Sequence, residues 1–149
     1  MSDDDSAWHR RFAADLFNRT WDLMDMPSRS PAQDSEMLTA AFASRHHWGV
    51  VGTVENRITG DWQIARVSSL LGMADLALRF AGGAAEAAHA EGWTGWRLAS
   101  VYEGMARAHA CAGARAERDR YVGLAEKALA EEPDADDRDE IARQLATVP

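Results

Sequence analysis

The chain has 149 residues, a net charge of −8 and one cysteine, with 46% apolar and 27% charged residues. This length predicts a single domain, residues 1–149, that buries a sizeable core. The acidic charge disfavours nucleic-acid binding, because phosphate backbones repel it.

Cysteine usage and the N-terminus indicate a reducing compartment. Cys111 alone cannot form an intramolecular disulfide, which favours the cytoplasm. The N-terminal stretch is acidic and lacks the apolar core that is typical of a secretory signal. The region around residues 70–90 is interrupted by charges, so no membrane span and no membrane partner are expected.

Abundant alanine and scarce proline predict an all-α fold, since alanine favours helices and proline is excluded from their interiors. No segment alternates with a period of two, so no strands are expected. Residues 1–6 are expected to form a flexible acidic N-terminus. The seven expected helices lie at 7–25, 31–48, 54–71, 74–91, 95–112, 115–131 and 135–146.

Start and stop signals place these helices. Ser30 is a predicted N-cap, with Pro31 at the first helical position and Gln33 placed to complete a capping box. The other predicted boundary residues are Thr53, Thr94 and Asp134 or Asp136 at helix starts, and Gly49, Gly72 and Gly113 at helix ends.

An internal repeat appears when the segment 53–92 is aligned with the segment 94–133, so that Thr53 meets Thr94. The further identical pairs are Ala65 and Ala106, Arg66 and Arg107, Gly72 and Gly113, Gly82 and Gly123, Ala84 and Ala125, Ala87 and Ala128, and Glu91 and Glu132. Because these residues occupy cap, turn and packing positions, we interpret the match as a repeated helical hairpin.

Four residues in each copy resemble the tetratricopeptide family: Ala65, Gly72, Phe80 and Ala84 in one copy, and Ala106, Gly113, Tyr121 and Ala125 in the next. The period is longer than the usual ~34 residues, and Arg118 replaces an expected alanine. The chain also resembles small bacterial proteins of this kind. The resemblance implies three stacked hairpins, 7–48, 53–92 and 94–133, followed by a capping helix within 134–149.

The resemblance also implies a concave face lined by the first helix of each hairpin. Its positions are Thr59, Trp62, Gln63, Arg66, Ser69 and Leu70 in one copy, and Ser100, Glu103, Gly104, Arg107, Ala110 and Cys111 in the next. Trp62 could stack on a flat or aliphatic group, while Arg66 and Arg107 bind a carboxylate or phosphate. Alternatively, Glu103 pairs with either arginine for structural reasons, and Trp62 fills the core.

The stretch 46–48, His46-His47-Trp48, comes just before the glycine that is predicted to end its helix. Neighbouring helical side chains point ~100° apart, so His46 and His47 cannot easily hold one metal ion. No metal motif accompanies them, and a histidine near a helix C-terminus interacts well with the last carbonyls. We expect no metal. If the helix unwinds at Trp48–Gly49, one of the two histidines can turn into the groove beside Trp62.

These observations favour a module that binds a protein, a peptide or a small anionic ligand. The expected binding residues are Trp62, Gln63, Arg66, Glu103, Arg107, His47 and Trp48. The alternative is a small-molecule-binding protein or enzyme with a closed pocket. Its walls would be Trp21, Trp48, Trp62 and Trp96, with His47, Gln63, Arg66 and Glu103 converging inside. A third hypothesis is a structural subunit whose Trp62 face is covered by a second copy of the chain. No nucleotide-binding or serine-hydrolase motif is present, so no cofactor is expected.

Overall fold

The computed structural model describes residues 1–149 as seven α-helices, with no β-strands. Their bounds are α1 Asp3–Met24, α2 Pro31–Val51, α3 Val54–Leu70, α4 Ala74–Ala90, α5 Gly95–Cys111, α6 Arg115–Ala130 and α7 Ala135–Leu145. The predicted all-α fold class is confirmed, and so is the number of helices. None of the seven helices has both the length and the apolar character needed to cross a lipid bilayer.

Each helix packs against the next one along the chain, as expected for antiparallel helices joined by short turns. A second set of contacts joins α3 to α5 and α5 to α7, which are not neighbours in sequence. The helices α3, α5 and α7 therefore form one layer, and α4 and α6 pack against one side of it. We call the opposite side of this layer, which faces away from α4 and α6, the inner face.

The first helices of the two aligned segments have matching bounds in the structure. The helices α3 and α5 begin at residues 54 and 95 and end at residues 70 and 111, and both turns that follow contain a glycine with φ near 73°. At each turn the same hydrogen bond closes the helix: Met73 N–H donates to Ser68 O, and Ala114 N–H donates to His109 O, both at 2.9 Å. Gly72 and Gly113 thus end equivalent helices, because only glycine adopts this left-handed conformation without strain.

The first two helices are longer than predicted. Helix α1 begins at Asp3 because Ser2 caps it: the Ser2 hydroxyl accepts from Asp5 N–H, and the Asp5 carboxylate accepts from Ser2 N–H. Most of the acidic segment 1–6 is therefore helical. Helix α2 continues through Gly49 to Val51, and it ends where the backbone of Gly52 becomes extended.

Helix α5 starts where it was predicted to start, but a different residue caps it. Thr94 occupies the N-cap position, but its side chain makes no capping hydrogen bond. Instead Glu132, from the turn after α6, accepts the backbone N–H of Trp96 at 2.9 Å. A residue distant in sequence therefore satisfies one of the free amides at this terminus. Asp134 caps α7 as predicted, by accepting from Asp136 N–H and Asp137 N–H.

The core follows the helix pairs in three apolar clusters. One is shared by α3, α4 and α5, a second by α5, α6 and α7, and a third by α1, α2 and α3. Many of its members are alanines, such as Ala65, Ala81 and Ala106. Small side chains let neighbouring helix axes approach closely.

Candidate functional site

The predicted face of α3 and α5 contains a buried ion cluster. Arg66 in α3 donates from Nη1 to Glu103 Oε1 in α5 at 3.1 Å, and Arg107 Nε donates to the same oxygen. The Glu103 side chain is only 1% exposed, and the two arginines are 15% and 9% exposed. The sequence correctly places these three residues on one face, but the structure shows that they contact each other. This matches the structural alternative for the pairing.

Helix α7 accounts for the burial of Arg107. The guanidinium donates from Nη2 to the carbonyl of Gln144 at 2.8 Å and also contacts the hydroxyl and the carbonyl of Thr147. These acceptors lie at the C-terminal end of α7, where the free carbonyls favour a cation. Arg107 therefore attaches α7 to α5 and covers part of the groove expected between the hairpins.

Burial shapes the electrostatics of Arg66. Its guanidinium carbon lies 5.5 Å from the ring centroid of Trp21 and 5.8 Å from that of Trp62. Removal from water lowers the pKa of Arg66, and the attraction of Glu103 opposes this shift. The two indole faces and the Glu103 carboxylate compensate for the lost hydration.

Gln63 and Trp62 are both fixed by neighbouring helices. Gln63 is fully buried and donates from Nε2 to Phe17 O in α1 at 3.0 Å. Trp62 donates from its indole Nε1 to Ser100 O in α5, also at 3.0 Å, and packs beside Trp21. Two buried acceptors, Gln63 Oε1 and Glu103 Oε2, have no hydrogen-bond partner. Gln63 has a structural role in joining α1 to α3.

A pocket of about 250 Å³ opens on the inner face between α3, α5 and α7. We call it the tryptophan pocket. Its apolar walls are Trp62, Trp93, Trp96, Ile58, Val101 and Ile141. Its charged residues are Glu55 from the first turn of α3, Arg97 from α5 and Glu140 from α7. Helices α3 and α5 supply two walls of the pocket, and the docking of α7 supplies the third.

Arg97 lies across the aromatic wall of the tryptophan pocket. Its guanidinium carbon is 5.7 Å from the Trp93 ring centroid and 5.6 Å from the Trp96 ring centroid. The same group pairs with Glu55, with Nη2 and Oε1 separated by 3.0 Å. On the α7 side, hydrogen bonding from Gln144 and the charge of Arg143 lower the pKa of Glu140. Glu140 therefore carries a negative charge near neutral pH.

A second cavity of about 200 Å³ adjoins the tryptophan pocket. It lies where α1, the end of α2 and the start of α3 meet, and Phe17 and Trp48 line it. Glu55 and Thr59 line both cavities. The two cavities thus lie side by side along the N-terminal half of α3, and together we call them the inner groove.

The histidines lie elsewhere. His9 Nδ1 in α1 and His47 Nδ1 in α2 are 2.8 Å apart, and the His46 ring packs against that of His47 at 5.4 Å. Burial and the two neighbouring histidines lower the pKa of His47. The surrounding surface includes the exposed rings of Trp8 and Phe12. No three histidine, cysteine, aspartate or glutamate side chains are placed to hold a metal ion.

Only part of the predicted pocket composition is found. Of the four tryptophans expected to wall it, Trp62 and Trp96 do so, Trp48 lines the adjoining cavity, and Trp21 packs behind Trp62. His47, Gln63, Arg66 and Glu103 do not line it.

The residues that sequence reasoning missed are Trp93, Arg97, Glu55 and Glu140. The run Trp93-Thr94-Gly95-Trp96-Arg97 was a usable signal for two of them.

No protein-family model, no curated protein and no solved structure matches this chain.

Proposed function

We propose that this chain is a tetratricopeptide-like binding module that holds an extended segment of a partner protein in the inner groove. The observation that carries the proposal is that the two cavities lie side by side, with Glu55 and Thr59 lining both of them. A groove that crosses several helices suits an extended segment, whose successive side chains can enter successive cavities.

The repeat assignment within this proposal is supported by the matching bounds of α3 and α5, which begin and end at equivalent positions of the two sequence copies. It is also supported by contacts between alternate helices, α3 with α5 and α5 with α7. Stacked hairpins make such contacts between the first helices of adjacent repeats, and those helices line the binding face.

The division of the groove into two small cavities favours a peptide segment over one free small molecule. Sites for drug-sized ligands usually enclose roughly 300–1,000 Å³. The tryptophan pocket, at about 250 Å³, and its neighbour, at about 200 Å³, are each smaller. Each cavity is suited to a single side chain, and the aromatic walls supply an anchor of the kind that dominates interface energetics.

In this proposal the ion cluster has a supporting role. Glu103 already binds Arg66 and Arg107, and Arg107 is attached to α7. These residues hold α3, α5 and α7 in register, so that Trp62 and Ile141 face one pocket. The side chains that contact the partner are then Trp93, Trp96 and the charged residues at the pocket rim.

A random peptide library displayed on phage, selected against the purified chain, tests this function. Selected peptides are synthesised, and their affinity is measured by fluorescence anisotropy. Thr59→Phe places a large ring where the two cavities join and should weaken binding at least tenfold. The matched control is Thr39→Phe, on the exposed surface of α2, which should bind normally.

Circular dichroism must show that both variants are folded. Recovery of no peptide above background would overturn the proposal. Equal binding by the folded Thr59→Phe variant would do the same.

A further inference from the structure

The tryptophan pocket already holds a cation from its own chain. The Arg97 guanidinium carbon lies 5.7 Å from the ring centroid of Trp93 and 5.6 Å from that of Trp96, and the group pairs with Glu55. Attraction between a cation and an indole face, combined with a carboxylate, is a favourable environment for guanidinium. The Arg97 side chain is 43% exposed, so no neighbouring group encloses it.

Several donors that line the pocket are already engaged within the chain. The Trp62 indole N–H already donates to Ser100 O, and the Ser100 hydroxyl donates to Trp96 O. The Gln144 amide donates to Glu140, and Arg97 is engaged by Glu55. The carboxylates of Glu55 and Glu140 have further lone pairs and can accept additional hydrogen bonds.

The surroundings of the pocket are acidic as well. Glu132, which accepts the N–H of Trp96, lies beside Asp134 and the first turn of α7. Burial and repulsion from Asp134, Glu132 and Asp136 raise the pKa of Asp137, which indicates a locally negative potential. The chain as a whole carries a net charge of −8. An approaching cation is therefore attracted over a long range.

We propose that the tryptophan pocket receives an arginine side chain of the partner segment, with the aliphatic stem against Ile58 and Ile141 and the guanidinium between the tryptophans and the rim carboxylates. This inference rests on the proposed function and names the residue that the pocket selects. It reverses the charge expected from the sequence, because Arg66 and Arg107 are already engaged by Glu103 and, for Arg107, by the carbonyls of α7.

Four capped amino acids test this inference: the Nα-acetyl amides of arginine, lysine, leucine and glutamate. Each is titrated into ¹⁵N-labelled protein, and the shifts of the indole N–H signals are followed by NMR. Arginine amide should shift the Trp93 and Trp96 signals most, with lysine amide weaker. The response should fall as the salt concentration rises, since both partners carry charge.

Single charge variants sharpen the test, because these rim residues are exposed and contribute little to folding. Glu55→Gln and Glu140→Gln should each weaken arginine amide binding about threefold. Arg97→Gln removes the internal competitor and should strengthen it about threefold. The matched control, Glu117→Gln on α6, alters an exposed carboxylate outside the groove and should leave the affinity unchanged.

Three results would overturn the inference: stronger binding of the leucine or glutamate amide, loss of arginine binding in Arg97→Gln, or no response to any probe. A further outcome is that the selected library peptides lack arginine and yet bind the Thr59→Phe variant more weakly than the natural chain. That result would support the binding function and contradict the arginine specificity. Failure of the library selection would instead count against the function itself.

Discussion

Trp62 and Ser100 connect α3 to α5 through a hydrogen bond from the indole N–H to the backbone carbonyl, 3.0 Å long. The bond joins helices that are separated in sequence by the whole of α4. Because the Trp62 ring also walls the tryptophan pocket, this contact sets both the stability of the layer and the shape of the groove.

Replacement of Trp62 by phenylalanine should destabilise the fold. The smaller ring keeps the aromatic contact but loses the hydrogen bond and leaves the Ser100 carbonyl without its donor. We expect the free energy of unfolding in urea to fall by about 1–3 kcal/mol. Trp8→Phe is the control: its ring is 58% exposed, so the change should stay within about 0.5 kcal/mol. Equal effects of the two variants would contradict the assigned contact.

Glu103→Gln should be more damaging, because it leaves two largely buried arginines without their counter-ion. Breaking a buried ion pair by removing one partner typically costs about 3–5 kcal/mol. Urea denaturation should show a loss of this size. Glu117→Gln, which removes one partner of the exposed pair with Arg120, should change stability by less than about 1 kcal/mol. A mild effect at Glu103 would mean that the cluster is well hydrated.

The histidine contact predicts that acid weakens the first hairpin. The pKa of His47 is lowered in the folded state. As the pH falls below 6.5, the unfolded chain therefore binds a proton at this residue before the folded chain does. Stability should therefore fall as the pH decreases through 6.5. The groups around His47 are His9 and Asp5 from α1 and His46 from α2.

Thermal unfolding of His47→Asn across the pH range in which histidine titrates measures this effect. The variant should show a shallower pH dependence than the natural chain. His109→Asn, on α5, keeps the three clustered histidines and should keep the original slope. An unchanged slope in His47→Asn would exclude the cluster as its source.

A pair of glycine variants tests the close approach of Trp62 to α5. A Cβ at Gly104 would lie 3.0 Å from Cδ1 of Trp62, whereas a Cβ at Gly82 in α4 would meet nothing within 4 Å. Gly82→Ala should stabilise the chain by about 0.5–1 kcal/mol, because alanine is the better helix former. Gly104→Ala should lose this gain and also shift the Trp62 fluorescence. An equal gain at both positions would contradict the tight contact.

Local signals in the sequence were sufficient to place most helix ends. Ser30 with Gln33, Thr53 with Asn56, and Asp134 all cap helices through contacts with near neighbours in the chain, and Gly72 and Gly113 end helices by their backbone conformation. A single sequence displays such neighbours directly. The early start of α1 was missed although Ser2 and Asp5 carry the same kind of signal.

The candidate site was harder to predict from the sequence, because the residues that line it depend on where α7 docks. The repeat placed Arg66, Glu103 and Arg107 on one face, but their burial requires the carbonyls of Gln144 and Thr147. Glu140 reaches the pocket, and Glu132 caps α5, through the same long-range packing. No periodicity within 53–133 encodes these contacts, so a free anion-binding face was the natural but incomplete expectation.

The fit of Trp62 against Gly104 makes the two hairpins complementary rather than interchangeable. In the alignment of the two copies, Gly104 is the counterpart of Gln63. The second hairpin therefore has no side chain at the position where the first hairpin carries an amide. A duplicated copy of residues 53–92 inserted after its original would bring a glutamine side chain against the indole. The order of the two helix pairs is therefore set by the size of one residue, since the indole of the first pair enters a space that only the second pair leaves open.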